Sequence, residues 1–331
     1  MINLLEVSLA VTTLLSTVNM PVKNGTFDSK FESICSIIPS WENSYYSFNS
    51  YLGTQNDFKL FDVLSGNDYK GYFVTDNNDN ISTFYVGEDK LENYSLEDIS
   101  PIFSSDFNSN DAFDTSYNIN NISINSVREM PVLNTNLYSS YSNSYCSTQE
   151  IINCPEYYNY SYGPVNNGCA PTTGAMLVSF YDRYTNMSNL VNGLLPLEHS
   201  DNKPDVDKLI VEMANYMKTD TNSGTSGSNA QTGLTNYFKA KGYGQYKAYY
   251  TSNYEDYSYI INTRKNPAFL GITAVDDNGG VLGGHAVLGT GTANIRDAGR
   301  FMITHYNWKD KRTGQYYVSS KYFVACIYIG K

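Results

Sequence analysis

The order of secondary-structure patterns along the chain constrains its fold more than any other feature of the sequence. Four segments carry helical spacing of apolar residues or helix-start signals: 170–184, 204–220, 228–242 and 255–264. Four strand-like segments follow them: 267–273, 284–292, 300–308 and 316–329. Helices followed by consecutive strands predict an α+β fold in which the helices pack on a C-terminal antiparallel sheet.

The third helix has a specific predicted start. Ser228 and Gln231 fit the S-x-x-Q capping box, in which the serine hydroxyl and the glutamine amide satisfy each other's backbone N–H groups. Gly242 follows the helical pattern and predicts its end.

A smaller β-containing region precedes the helices. Two strand-like runs at 71–75 and 81–86 flank a turn rich in Asp and Asn, which predicts a β-hairpin. Residues 101–145 are rich in Ser, Asn and Asp, as a linker is. We therefore predict an N-terminal region at 23–100, a linker at 101–145 and a second domain at 146–331.

The charge distribution agrees with this division. Residues 1–140 contain 18 acidic and 6 basic residues, a net charge of −12, whereas residues 141–331 contain 15 acidic and 16 basic residues, a net charge of +1. Neither part has the basic surface that nucleic-acid binding requires. No nucleic acid is therefore expected as a partner.

The N-terminus predicts export. Residues 1–22 are similar to a secretory signal peptide, although Glu6 interrupts the apolar run, and a buried N-terminal helix is the alternative. No later segment has the roughly 20 apolar residues of a membrane span. In an exported protein, five cysteines leave one thiol outside any disulfide, and Cys146 and Cys154 are close enough in sequence to pair. We expect a secreted or cell-surface protein.

Cys169 is the candidate nucleophile. It lies between small residues in GPVNNGCAPTTGAMLVSFYDRY, directly ahead of the first helical pattern. The thiolate is the reactive form of cysteine, and a helix N-terminus favours it through N–H groups and the helix dipole. The same position also suits a small structural thiol packed behind the helix. Position alone leaves both interpretations open.

Histidine is the usual base for such a thiol, and the chain has three. His199 lies in a polar loop pattern and is expected to be solvated. His285 follows two glycines in a strand pattern, so it either packs in the core or points from the strand end into a cleft. The glycines would let another backbone or a substrate come close. Asn307, on the next strand pattern, can orient an imidazole by accepting its N–H, and His305 has the same strand parity as Asn307. Three histidines without a helical i, i+4 pair make a poor metal site, so neither a metal nor another cofactor is expected.

These segments together resemble a known family. GPVNNGCAPTTGAMLVSFYDRY resembles the nucleophile helix of bacterial papain-like cysteine peptidases, and is most similar to the exported domains related to the bacteriocin-leader peptidases. GGHAVLGTGT is similar to their histidine strand, and THYNWKD resembles the Asn-Trp strand of the streptopain group. The resemblance covers about residues 146–331 and implies a papain-like fold.

The resemblance also implies a catalytic triad. Cys169 would be the nucleophile, His285 the general base and acid, and Asn307 the residue that orients the imidazole. Trp308 would lie beside the His–Asn pair. Asp310 is the alternative to Asn307.

The oxyanion hole is the part in which the sequence departs from the family. Papain-like enzymes usually place a Gln shortly before the nucleophile to donate to the oxyanion. Here that donor could be Asn166, Asn167 or Gln149. The Cys-Gly-Ser-Cys-Trp run of papain itself is absent.

We therefore expect an exported bacterial thiol protease that hydrolyses peptide bonds through an acyl-enzyme. Its partners would be protein or peptide substrates. Its acidic N-terminal region would serve either as an inhibitory pro-region of a zymogen or as a separate binding module. A cell-wall amidase or acyl transferase on the same fold is one alternative. A non-catalytic surface interaction protein on a papain-like scaffold is the other.

Overall fold

The structure is a computed structural model. It describes residues 25–49, 57–88, 90, 99–103, 107–108, 130–131, 135–158, 167–198, 204–276, 278–307 and 315–331. The predicted signal peptide at 1–22 lies outside these residues, as do Asn166, His199, Trp308 and Asp310.

Five α-helices lie in the described part of the chain: α1 (Gly25–Cys35), α2 (Cys169–Tyr184), α3 (Pro204–Tyr216), α4 (Gly227–Ala240) and α5 (Tyr254–Asn262). The four helices predicted from the sequence correspond to α2 to α5 and are confirmed. α2 packs against α3, which in turn packs against α4.

The predicted capping box of the third helix is wrong. Ser226 caps α4, and its side chain accepts a hydrogen bond from the N–H of Asn229 at 3.2 Å. Gln231 is buried and donates to the carbonyl of Ala248 at 3.2 Å, so its amide bonds a neighbouring strand rather than the helix start. The helix therefore begins two residues earlier than predicted.

The described strands are β1 (Tyr45–Asn49), β2 (Phe58–Ser65), β3 (Asp68–Asp76), β4 (Ile81–Val86), β5 (Phe107–Asn108), β6 (Tyr138–Ser142), β7 (Cys146–Ile151), β8 (Thr225–Ser226), β9 (Lys247–Thr251), β10 (Ala268–Val275), β11 (Val281–Ile295), β12 (Gly299–His305), β13 (Gln315–Ser319) and β14 (Phe323–Gly330). Their main order across the sheet is β1-β2-β3-β4-β13-β12-β11-β10-β14-β9. Neighbours along this path are antiparallel. The α+β class with a large antiparallel sheet is thus confirmed.

The segment 316–329, predicted as one strand, forms two. A short 3₁₀ turn at Ser320–Tyr322 separates β13 from β14, and the two strands lie in different parts of the sheet. The turn contacts the N-terminal hairpin, where Lys321 Nζ lies 3.0 Å from the Asp76 carboxylate and the Tyr322 hydroxyl lies 3.1 Å from Ser82 Oγ. These contacts with remote residues explain why the strand pattern did not indicate the break.

The predicted N-terminal hairpin is confirmed. β3 and β4 pair antiparallel, and the Asp76 carboxylate in their turn accepts hydrogen bonds from the N–H groups of Asn78 and Asn80, each at 2.9 Å. β4 then pairs with β13. The N-terminal strands therefore continue the sheet that carries β10 to β14. The described residues of the predicted linker include β5 and β6.

The two faces of this sheet enter different apolar clusters. Tyr85 and Tyr316 belong to the larger cluster, which includes residues of α2 to α5. The adjacent residues Phe84 and Tyr317 belong to a smaller cluster beneath α1. α2 lies against β10 and β11 within the larger cluster, and its residues from Cys169 to Tyr181 are all buried. A helix buried on every side is held by packing.

All five cysteines lie in the described part of the chain, and none forms a disulfide. Cys146 begins β7, and Cys154 follows the end of that strand. The pairing of Cys146 with Cys154 that their sequence spacing allows is therefore not formed in this structure.

Candidate functional site

Cys169 is the first residue of α2 and is completely buried. Gly168 is the N-cap and has no side chain to cover the helix start. The thiol therefore lies where the first N–H groups of the helix and its dipole favour negative charge. A helix start of this kind is an environment that suits a cysteine nucleophile.

The residue before Gly168 makes the turn into this helix. Asn167 has a left-handed backbone with φ of 53°, a conformation that asparagine tolerates better than most residues. Its side-chain amide donates to the carbonyl of Thr221 at 2.8 Å, in the loop that leads to β8. This hydrogen bond directs the amide toward that loop.

Gln149, another candidate donor for the oxyanion hole, lies elsewhere. It is on β7, its side-chain carbonyl accepts from the Tyr138 hydroxyl at 2.5 Å, and it lines a cavity of about 270 Å³ with Thr292 and Arg300. That cavity is not lined by Cys169 or His285. Gln149 is therefore a poor candidate for the oxyanion donor.

His285 lies on β11, opposite Ile272 of β10, and is completely buried. Its imidazole packs against the Tyr306 ring in a T-shaped arrangement, with ring centroids 5.6 Å apart and an interplanar angle of 75°. The preceding residue, Gly284, pairs with Thr273 on one side and contacts β5 through Phe107. Neighbouring backbone therefore approaches β11 closely beside the histidine.

Asn307 follows β12 and connects the other two predicted site residues. The nitrogen of its buried side-chain amino group lies 2.8 Å from the carbonyl oxygen of Cys169, 2.6 Å from Thr173 Oγ1 and 2.8 Å from the carbonyl oxygen of Ala286. Its two N–H groups are shared among these three acceptors. One amide thus bonds the backbone of Cys169 and the backbone of the residue after His285. Asn307 therefore connects the start of α2 with β11 beside His285.

These hydrogen bonds also determine the orientation of the Asn307 amide. Two of the three partners are carbonyl oxygens, which can only accept, so the amino group must face them. The opposite atom, Asn307 Oδ1, is buried and accepts no hydrogen bond from the described residues. The hydrogen bond from an imidazole to Oδ1 that a triad requires is not formed in this structure.

His305 lies in a different environment from His285. Its Nδ1 is 3.2 Å from the carbonyl of Pro155 and near the Glu150 carboxylate. Burial lowers the pKa of His305, and the Pro155 carbonyl and Glu150 oppose that shift. β12 ends at His305, so strand alternation does not extend to Asn307, and the predicted shared parity of these two residues does not apply.

Sequence reasoning missed two residues of the site, Thr173 and Tyr306. Thr173 is four residues after Cys169 and therefore lies on the same face of α2, a spacing that could have identified it. Tyr306 precedes Asn307 directly, but its contact with His285 depends on how the chain leaves β12, for which the sequence has no signal.

Two adjacent threonines test the contribution of the Asn307 hydrogen bonds. Both are buried in the first turns of α2, but only Thr173 bonds Asn307, whereas Thr172 Oγ1 has no hydrogen-bond partner among the described residues. We expect Thr173→Val to lower the free energy of unfolding by about 1 kcal/mol and Thr172→Val to leave it unchanged or raise it. Urea unfolding of both variants measures the difference. Equal destabilisation would contradict the assigned role of Thr173.

Two features are absent from the described residues. None of the described helices is both long and apolar enough to cross a membrane. Within the described residues, His, Cys, Asp and Glu side chains do not gather in groups of three or more that could hold a metal ion.

Comparison with known proteins was negative. No model of a known protein family matches the chain, and no curated protein matches it significantly.

Proposed function

We propose that this chain is an exported cysteine peptidase with a papain-like fold. The observation that carries the proposal is the Asn307 amide, which joins the backbone of Cys169 to the residue after His285 inside a buried junction. A buried amide whose two N–H groups are shared among three acceptors holds its neighbours in a defined geometry. The α+β order, with a cysteine opening a buried helix and a histidine on the sheet beneath, agrees with this reading.

The proposed reaction proceeds in two steps. Cys169 passes its proton to His285, and its sulfur bonds the substrate's carbonyl carbon; His285 then gives the proton to the leaving amine as the C–N bond breaks. Water next attacks the thioester with His285 as base, which releases the acid product and restores the thiol. Asn307 Oδ1 is the buried acceptor that we assign to the imidazolium formed transiently within each step.

The substrate class is tested by product analysis. We expect the wild type to cleave unfolded protein substrates at peptide bonds, identified by mass spectrometry, and Cys169→Ala to leave them intact. Release of stem peptides from peptidoglycan, with protein substrates untouched, would instead indicate a cell-wall amidase. Equal cleavage by the wild type and Cys169→Ala would contradict a cysteine nucleophile.

We also propose that the chain's N-terminal part inhibits the site. Cys169, His285 and Asn307 are all completely buried, so a substrate reaches them only after a rearrangement. β5 pairs antiparallel with Gly284, next to His285, and parallel with β8 at Thr225 and Ser226. A peptide that binds as an added strand would use the same backbone groups. The N-terminal segment and the substrate would therefore compete.

Proline substitution tests this competition, because proline has no N–H to donate to a neighbouring strand. We expect Phe107→Pro combined with Asn108→Pro to raise the initial rate of peptide hydrolysis. Phe107→Ala combined with Asn108→Ala keeps both N–H groups and serves as the control. An unchanged rate in the proline variant would show that β5 does not restrict access.

A further inference from the structure

A row of aromatic side chains connects His285 with the N-terminal hairpin. We call it the tyrosine row: Tyr306, Tyr316, Tyr85 and Tyr72. Tyr306 lies 5.6 Å from the His285 ring, and the successive ring centroids along the row are 5.1, 4.9 and 5.2 Å apart. These separations fall within the range at which aromatic rings attract one another. All four tyrosines are buried.

The sheet determines the position of this row. Tyr316 of β13 is directly opposite Tyr85 of β4, and Tyr85 is directly opposite Tyr72 of β3. At the far end, the Tyr72 hydroxyl donates to the carbonyl of Ile99. A side chain at Gly87 would collide with the Tyr85 ring, so glycine at this position keeps the space that the ring occupies. Strand pairing therefore fixes the positions of Tyr316, Tyr85 and Tyr72 in the tyrosine row.

We propose that Tyr306 is a positioning residue for His285, and that the tyrosine row makes β3 and β4 a permanent part of the catalytic fold. The part of this proposal that concerns catalysis, in which Tyr306 positions a catalytic histidine, rests on the proposed peptidase function. The T-shaped contact restricts rotation of the imidazole, and Tyr316 and Tyr85 in turn hold the Tyr306 ring in place. Aromatic pairs stabilise such arrangements beyond the area that they bury.

This proposal gives the N-terminal hairpin and the linker strand β5 different functions. β4 pairs with β13 over Thr83–Val86, and on the opposite face Phe84 stacks on Tyr317 with centroids 4.2 Å apart. Removal of the hairpin would expose the buried rings of Tyr316 and Tyr317. The inhibitory strand β5 lies later in the chain. Proteolytic activation would therefore free β5 and leave residues 58–86 bound.

Histidine-specific NMR tests the positioning role whether or not the protein is a peptidase. The chain has three histidines, so ¹³C-histidine labelling gives three ring signals, and His285→Ala identifies that of residue 285. We expect Tyr306→Leu to shift the His285 signal toward that of an exposed histidine and Tyr306→Phe to preserve it. An unchanged His285 signal in a folded Tyr306→Leu variant would overturn the positioning role.

The contribution of the hairpin is tested with two adjacent residues on β4. Tyr85→Leu interrupts the tyrosine row, whereas Phe84→Leu removes a ring of similar burial from the opposite face. We expect only Tyr85→Leu to shift the His285 signal and to slow peptide hydrolysis, by about threefold to tenfold. Equal effects of both variants on the signal would show a general loss of packing and overturn the role of the row. Hydrolysis absent from both the wild type and the paired proline variant at Phe107 and Asn108 would contradict the peptidase proposal alone.

The permanence of the hairpin is tested by cutting the chain. A specific protease site inserted between residues 90 and 99 would separate the hairpin covalently from the rest of the chain. We expect both fragments to co-elute in size-exclusion chromatography, with the His285 signal unchanged. Separation of the fragments with an unchanged His285 signal would overturn the proposal.

Discussion

Replacement of Asn307 by aspartate is expected to lower the free energy of unfolding by about 3–5 kcal/mol. The amino group of Asn307 donates to the carbonyls of Cys169 and Ala286 and to Thr173 Oγ1, all inside the protein. An aspartate would direct a carboxylate oxygen at two carbonyl oxygens, away from water, and only the Thr173 hydroxyl could donate to it. One neutral donor offsets only part of the repulsion and of the desolvation.

Asn294→Asp is the matched control for this change. Asn294 lies on β11, the strand that also carries Ala286, but its side chain is exposed. An exposed charge substitution typically changes the free energy of unfolding by no more than about 0.5 kcal/mol. Urea unfolding of both variants measures the two values. Similar destabilisation by the two substitutions would contradict the hydrogen-bonding role assigned to Asn307.

Replacement of His285 by alanine is expected to reduce kcat/KM for peptide hydrolysis about 10³-fold, because the thiol then lacks its base and the leaving amine lacks its acid. Cys169→Ala should lose at least as much. Combining both changes should cost little more than either alone, since the two side chains act as one unit.

His305→Ala is the matched control for His285→Ala. His305 lies on the neighbouring strand β12 and contacts the Pro155 carbonyl rather than the Asn307 junction. Its replacement should leave kcat/KM within a few-fold of the wild type in protein shown to be folded by thermal melting. A loss of kcat/KM as large as that of His285→Ala would contradict the assignment of His285 as the catalytic base.

Local patterns predicted much of the C-terminal fold. Apolar residues at helical spacing located α2, and the order of helices and strands predicted the α+β class. The start of α4 was predicted two residues late because Ser226 and Ser228 are equally good caps in sequence. The choice between them depends on Gln231 bonding the remote carbonyl of Ala248.

Contacts between distant segments account for what the sequence did not predict. The break between β13 and β14 is held by Asp76 and Ser82, more than 200 residues away. Pairing of β4 with β13 depends on the same distant hairpin. The three candidate site residues could be named from their types and order, but the acceptors of the Asn307 amide are set by tertiary packing.

The other four cysteines are expected to contribute little background when alkylation of Cys169 is measured. Burial raises the pKa of Cys35 to about 12, with Glu32 adding to the shift, and burial also raises the pKa of Cys146. Burial raises the pKa of Cys154 and Cys326 well above the ordinary thiol range. A raised pKa lowers the thiolate fraction at any given pH below it, so these four thiols should react slowly with alkylating agents at neutral pH.

The central claim, a thiolate–imidazolium pair of Cys169 and His285, is tested most directly by the pH dependence of Cys169 alkylation. Iodoacetamide labelling would be followed by peptide mass spectrometry in the wild type and in His285→Ala, each with and without the paired proline substitutions at Phe107 and Asn108. The shape of the pH profile is compared, since burial slows the rate at every pH. We expect Cys169 labelling to persist well below the ordinary thiol pKa of about 8.5 and to lose that persistence in His285→Ala. A profile that rises only near 8.5, identical with and without His285, would show a structural thiol and contradict the peptidase.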